Sequence, residues 1–186
     1  MRKIVMLFIL GISLGAYGQK NCKPYLNYDD SFSGVHYDFY GGKIDYKKQM
    51  MKGVSTYVTV HMYRSEDVNY ITARIDIYQG NNDASVNNIQ MGDSSSFSIR
   101  TGQGIMDFKP IAVHANKKKM GEKVLTITEI HAVITDEQVS VLANNPILTY
   151  RISPQDYPTI QGEVAEKKSE KAQAQYACYA KSIGLK

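Results

Sequence analysis

Cysteine is scarce in this chain. Only Cys22 and Cys178 occur in 186 residues, and no Cys-x-x-Cys pair exists, which excludes a thioredoxin-like redox site. The four histidines, His36, His61, His114 and His131, lack the His-x-x-x-His or mixed Cys/His spacings that preset a metal site. No Gly-x-Ser-x-Gly elbow surrounds any serine, including those of Asp93-Ser94-Ser95-Ser96. No catalytic, metal-binding or nucleotide-binding signature is therefore present, and no cofactor is expected.

Long apolar runs are also missing. The one at the start, Ile4 to Leu14, is about half the roughly 20 residues that span a bilayer. It follows Arg2 and Lys3 and precedes the small residues of Ala16-Tyr17-Gly18, the order of a cleavable secretory signal over residues 1–18. Positive charge orients such a segment, the apolar run enters the translocon, and Ala16 and Gly18 suit a signal peptidase. The mature chain is expected to start near Gln19, with no stable membrane span, in the periplasm or outside the cell. Cys22 follows Gln19-Lys20-Asn21, which are too polar and bulky for a lipoprotein signal.

A strong excess of one charge is absent once that signal is set aside. The whole chain has 22 basic and 18 acidic side chains; Arg2 and Lys3 belong to the signal, which leaves 20 against 18, a net +2. No basic stripe remains to neutralise a row of phosphates, so nucleic acid is not an expected partner. Lys117-Lys118-Lys119 lies between two strand-like runs near Gly121 and reads as a solvated hairpin tip. Export would place Cys22 and Cys178, near the two ends of the mature chain, in an oxidising compartment, so a disulfide between them is expected, with two buried free thiols as the alternative.

What the chain has is period-two alternation, the mark of strands with one buried face. Val58, Val60 and Met62 point one way, and Tyr57, Thr59, His61 and Tyr63 the other. After a polar turn, Ile71, Ala73, Ile75 and Ile77 share a face, which predicts an antiparallel hairpin. Gln79 to Asn88 reads as a loop. Strands are expected over 96–100, 105–109, 111–115 and 124–134, with Pro110 marking an edge or a bend. In the last of these the apolar set changes phase, from Leu125 and Ile127 to Ile130, Ala132 and Ile134, which suggests a bulge. Thr135-Asp136-Glu137-Gln138 fits a capping box for a short helix to about Ala143, ended by Asn144, Asn145 and Pro146, with a strand from Ile147 to Ile152.

One long helix is predicted over about 163–183, with Ala165, Ala172, Tyr176, Tyr179 and Ile183 as its apolar stripe, a Glu163–Lys167 pair and Gly184 as its C-cap. Cys178 falls on the flank of that stripe, so a bond to Cys22 would strap the helix in place. The fold class expected is mainly β within α+β. It is a single domain over 19–186, an antiparallel β-sandwich or curved sheet with a short connecting helix and a C-terminal helix packed on it.

Two overlapping segments and two histidines bear on function. Asp29-Asp30-Ser31-Phe32-Ser33-Gly34 spaces oxygens as a calcium loop does, yet Tyr40 stands where a bidentate glutamate belongs, so an Asx-type turn is the default. Between Tyr25 and Gly42, Tyr25, Tyr28, Phe32, Tyr37, Phe39 and Tyr40 are interleaved with Asp29, Asp30 and Asp38. Aromatic faces backed by carboxylates stack on sugar rings, and tyrosines also serve protein interfaces, although an edge strand over the core explains the same run. The contact residues expected are Tyr25, Tyr28, Tyr37, Asp38, Phe39 and Tyr40, in a non-catalytic module that binds an envelope protein or a glycan. The alternative is a small envelope hydrolase built on His61 or His114 with a neighbouring Asp.

The segment Ala132 to Ile152 resembles one found in small exported proteins of uncharacterised function from Gram-negative bacteria. Ile134-Thr135, Pro146-Ile147, Arg151 and Cys178 carry the resemblance, and Leu148 departs from it, since a polar residue is usual there. The resemblance implies a β-rich body with a packed helix and no particular activity.

Overall fold

The computed structural model describes residues 22–31, 34–49, 54–80, 95–155 and 158–185. The expected signal, Met1 to Gly18, lies outside them, as do Phe32, Asp93 and Ser94. In chain order the elements are β1 (Leu26–Asp29), β2 (His36–Gln49), β3 (Val54–Ser65), β4 (Val68–Gly80), β5 (Ser96–Thr101), β6 (Gly104–Phe108), β7 (Pro110–Met120), β8 (Lys123–Val133), α1 (Asp136–Asn144), β9 (Thr149–Ser153), β10 (Ile160–Glu163) and α2 (Glu166–Ser182). A six-stranded sheet, β1-β2-β3-β4-β8-β7, curls into a half-barrel, and a four-stranded sheet, β10-β9-β5-β6, packs with it. Every pairing is antiparallel.

The expected hairpin of β3 and β4 forms with unbroken register, so Val58, Val60 and Met62 face Ile75, Ala73 and Ile71 on the inner side. Its two-residue turn, Glu66-Asp67, holds both residues at positive φ (48° and 64°), the twist that a tight hairpin needs. The strand continues through Gln79 and Gly80, which sequence patterning assigned to a loop.

The bulge expected in β8 is not there. Pairing with β4 runs without a shift from Tyr70↔Val133 to Gly80↔Lys123, so the inner positions after Ala132 and Ile130 are Thr128 and Thr126, both buried. Leu125 and Ile127 simply occupy the outer face. Threonine is isosteric with valine and β-favouring, which lets a polar type fill an apolar slot and mimic a phase change. Bulges occur instead in β7 beside Pro110 and in β2 between Lys43 and Asp45. The second inserts the fully buried Ile44 and turns Asp45 inward, where its Oδ2 accepts a hydrogen bond from the Tyr150 hydroxyl at 2.6 Å.

That bond joins the two sheets. Lys47 Nζ donates to the Gln161 carbonyl, and Gly162 makes room: a Cβ there would lie 2.6 Å from Asp45 Oδ2. The inner face of the small sheet adds Phe97, Ile99, Tyr150 and Ile152 to one continuous core shared with both helices.

The capping box forms as expected, with Gln138 N donating to Thr135 Oγ1 at 3.2 Å and Thr135 N to Gln138 Oε1 at 3.0 Å. Helix α2 starts later than the pattern suggested. Ile160 to Glu163 pair with β9 as a strand, so Glu163 is not in the helix and cannot pair with Lys167 across a turn. Sheet hydrogen bonding prevails there over the helix preference of glutamate, a preference worth only tenths of a kcal/mol. Of the predicted stripe, Ala172, Tyr176 and Tyr179 are buried, Ala165 is an exposed N-cap and Ile183 is half-buried at the C-cap, followed by Gly184 at φ 83°.

Two tyrosine hydroxyls seat α2 on the large sheet. Tyr176 donates to the Val60 carbonyl at 3.2 Å, and the Tyr179 hydroxyl lies 2.7 Å from Asn69 Oδ1. Asn69 Nδ2 in turn donates to Asp136 Oδ1 at 2.6 Å, which links α2, β4 and the first turn of α1. Burial pushes both phenol pKa values well above their usual 10. Cys22 and Cys178 form the expected disulfide, with Cα atoms 5.4 Å apart. No helix among the described residues is long and apolar enough to cross a membrane.

Candidate binding face

Period-two alternation assigns alternate side chains of the large sheet to its outer face, and cross-strand register sorts them into rows. One row is Gly41, His61, Thr72 and His131; the next is Lys43, Thr59, Arg74, Glu129 and His114; a third is Tyr46, Tyr57, Asp76 and Ile127. Beyond the first row lie the aromatic residues of the strand ends. Tyr28 stacks on Tyr37 (6.5 Å, 25°), Tyr37 meets Tyr63 edge-on (6.1 Å), Phe39 contacts Tyr63 (5.0 Å), and Tyr63 stacks on Tyr70 (5.1 Å, 17°). The ladder continues edge-on from Tyr63 to His131 (6.1 Å) and from His131 to His114 (5.2 Å). A second cluster, Tyr46, Tyr57 and Tyr78, closes the other end, with Lys43 Nζ 4.0 Å above the Tyr57 ring.

The same alternation divides the expected contact residues. Tyr28, Tyr37 and Phe39 lie on the aromatic face, Tyr28 being 55% exposed. Tyr40 does not: it pairs with Met62 on the inner side, is 8% exposed and packs against Tyr179 at 5.8 Å, so it is a core residue. Asp38 also leaves the aromatic group, because it is one residue out of phase with Tyr37 and Phe39. Its Oδ1 lies 3.1 Å from His36 Nε2, while Asp29 Oδ1 lies 2.5 Å from His36 Nδ1. Carboxylates interleaved in sequence are thus separated from the aromatic rings in space, and the sugar-stacking arrangement drawn from that segment alone is not formed. Tyr25 is exposed outside the strand and donates its backbone N–H to the Phe39 carbonyl at 2.8 Å.

Of the Asp29 to Gly34 stretch, whose Phe32 and Ser33 lie outside the described residues, Gly34 N donates to the Asp30 carbonyl at 2.7 Å and Gly34 has φ 71°. Asp29 is engaged with His36, and no cluster of three His, Cys, Asp or Glu suited to a metal ion occurs among the described residues.

Buried polarity underlies the face. His61 is 6% exposed, bare of a partner at Nδ1 among the described residues, and lies edge-on to Phe39 at 5.1 Å. Burial, with His131 and Arg74 adding to it, pushes its pKa from 6.5 down to about 3, so it is neutral at physiological pH. His131 is also lowered, by burial and then by His114, and its Nδ1 lies near the hydroxyls of Thr72 (3.1 Å) and Tyr63 (3.2 Å). Arg74 bridges Asp76 (2.9 Å) and Glu129 (3.2 Å). Among the described residues neither His61 nor His114 has a hydrogen bond to a carboxylate, so the His–Asp–hydroxyl grouping of the hydrolase alternative is not assembled there. Sequence reasoning did not bring Tyr63, Tyr70 and His131 into one site with Tyr28; its signal was the outward phase of Tyr57, His61 and Tyr63, which shows a shared face but not the order of the strands.

No family model, curated protein or solved structure matches this chain.

Proposed function

We propose that the protein is an exported, non-catalytic binding module that engages an envelope protein or glycan through the outer face of its large sheet. The observation that carries this reading is the aromatic ladder from Tyr28 through Tyr37, Phe39, Tyr63 and Tyr70 to His131, five strands wide on a rigid sheet. Half-exposed tyrosines combine apolar area with a hydroxyl at low entropic cost, the combination that contact surfaces use. The Cys22–Cys178 disulfide supports an oxidising compartment, in keeping with the signal reading of residues 1–18. The resemblance of Ala132 to Ile152 to a segment of small exported proteins of Gram-negative bacteria is in keeping with export and implies no particular activity. A buried, neutral His61 without a carboxylate supports binding over hydrolysis.

A photo-crosslinking residue at Tyr28, compared with one at Lys117 on the β7–β8 hairpin, tests the face in native envelopes and on an immobilised glycan panel. Capture from position 28 alone, lost in the Tyr37→Ala background, is expected. Equal capture from both positions refutes the assignment.

A further inference from the structure

The outer face of the small sheet carries a second arrangement that the aromatic face does not use. Register places eight side chains in two rows across β10, β9, β5 and β6: Glu163, Thr149, Arg100 and Ile105 in one, Gln161, Arg151, Ser98 and Asp107 in the other. Together they line an open depression of about 610 Å³, within the usual range for small-ligand sites. Its floor is stiff, because the intervening residues Phe97, Ile99, Tyr150 and Ile152 are buried in the core.

The charges in this tray have a definite layout. Arg100 and Arg151 are diagonal neighbours on the two central strands, within reach of each other's long side chains. No ion pair among the described residues involves either one. Gln161 Oε1 accepts from Arg151 Nε at 3.1 Å, which orients the guanidinium and leaves its terminal nitrogens free of protein partners among the described residues. The two acids stand at opposite corners, Glu163 on the β10 flank and Asp107 on the β6 flank, where Ser98 donates to Asp107 at 2.6 Å. A cationic centre between acidic corners suits one carboxylate surrounded by hydroxyl donors. It disfavours a polyanion, which the corners would repel. A peptide seated over these rows would call for an apolar pocket, and Ile105 is the one aliphatic side chain in the two rows.

We propose that this tray binds an acidic sugar, with Arg100 and Arg151 sharing its carboxylate and Glu163, Asp107 and Gln161 accepting from its ring hydroxyls. Guanidinium groups bind carboxylates through paired N–H donors, so both arginines contribute specificity as well as charge. The site is separate from the aromatic face and stands or falls without it.

Amide chemical shifts of the whole protein, titrated in parallel with D-glucuronate, D-glucose and inorganic phosphate, test the assignment. Saturable shifts confined to β5, β9 and their flanking strands are expected with glucuronate in the millimolar range, with glucose and phosphate at least ten-fold weaker. Arg100→Gln and Arg151→Gln, both exposed and expected to leave the thermal midpoint unchanged, should each weaken glucuronate at least ten-fold. Absence of saturation, equal binding of phosphate or glucose, or glucuronate binding that survives both substitutions would overturn the proposal.

Discussion

Acidification should destabilise this protein through His61. In the folded state the ring is buried without a charge partner and takes up a proton only near pH 3, whereas in the unfolded chain it does so near 6.5. The unfolded state therefore binds the extra proton as pH falls from 6.5 toward 3, and stability drops across that window. At about 1.4 kcal/mol per unit, the shift from 6.5 to about 3 corresponds to about 5 kcal/mol at most, of which about 3 kcal/mol is lost between pH 7 and pH 4. A typical urea dependence of about 2 kcal/mol per M turns that into a midpoint lower by about 1.5 M. Urea midpoints at pH 7 and pH 4, measured for the wild type and His61→Gln, isolate the effect, because every other ionisable group is common to both proteins. The pH 7 to pH 4 loss should be smaller by about 3 kcal/mol in the variant. An equal loss in both proteins would refute the argument, since His61 would then be protonated as easily folded as unfolded.

Four further outcomes follow from packing and chain constraint. Replacing both Cys22 and Cys178 by Ser opens a loop of sequence separation 156 and should cost about 5 kcal/mol in the chain-entropy account, read as a lower thermal midpoint; intact mass without reductant checks the bond itself. Gly41→Ala drives a Cβ into the Val60 carbonyl and to 2.6 Å from His61 Cα, backbone that cannot yield, and should cost about 3 kcal/mol or more, while Gly42→Ala next to it meets nothing within 4 Å and should stay within about 1 kcal/mol. Tyr150→Phe removes the donor from Asp45 between the sheets and should cost about 1.5–3 kcal/mol by denaturant unfolding. Asn-Gly in place of Glu66-Asp67 suits the two positive φ angles better and should raise stability by about 0.5–1 kcal/mol, measured the same way.

Local patterning was enough for much of the fold. Alternation around Val58 and Ile71 identified a hairpin and its buried side, the Thr135–Gln138 spacing identified the start of α1, and two cysteines in a chain read as exported implied the bond that forms. Each of these rests on interactions between near neighbours in sequence or on compartment chemistry, so each is written in the residues themselves. Misreadings arose where a distant partner decides. Thr126 and Thr128 look polar but fill inner positions because β4 holds β8 in register, and Glu163 looks helical but pairs with Thr149.

The candidate sites divide in the same way. The richness of the Tyr25 to Gly42 segment was visible, and so was the phase that groups Tyr37 with Phe39. Only the strand order beside it set Tyr63, Tyr70 and His131 next to those rings and took Tyr40 into the core against Tyr179. The arginine tray had no local signal at all, since Arg100 and Arg151 are 51 positions apart in sequence and meet through the β5–β9 pairing. Sequence by itself determined the alternation, the caps and the cysteine chemistry, because these follow from backbone geometry and local hydrogen bonding. Tertiary structure alone decided which faces are wet and which charges are neighbours, because register and sheet order are set by burial summed over the whole core.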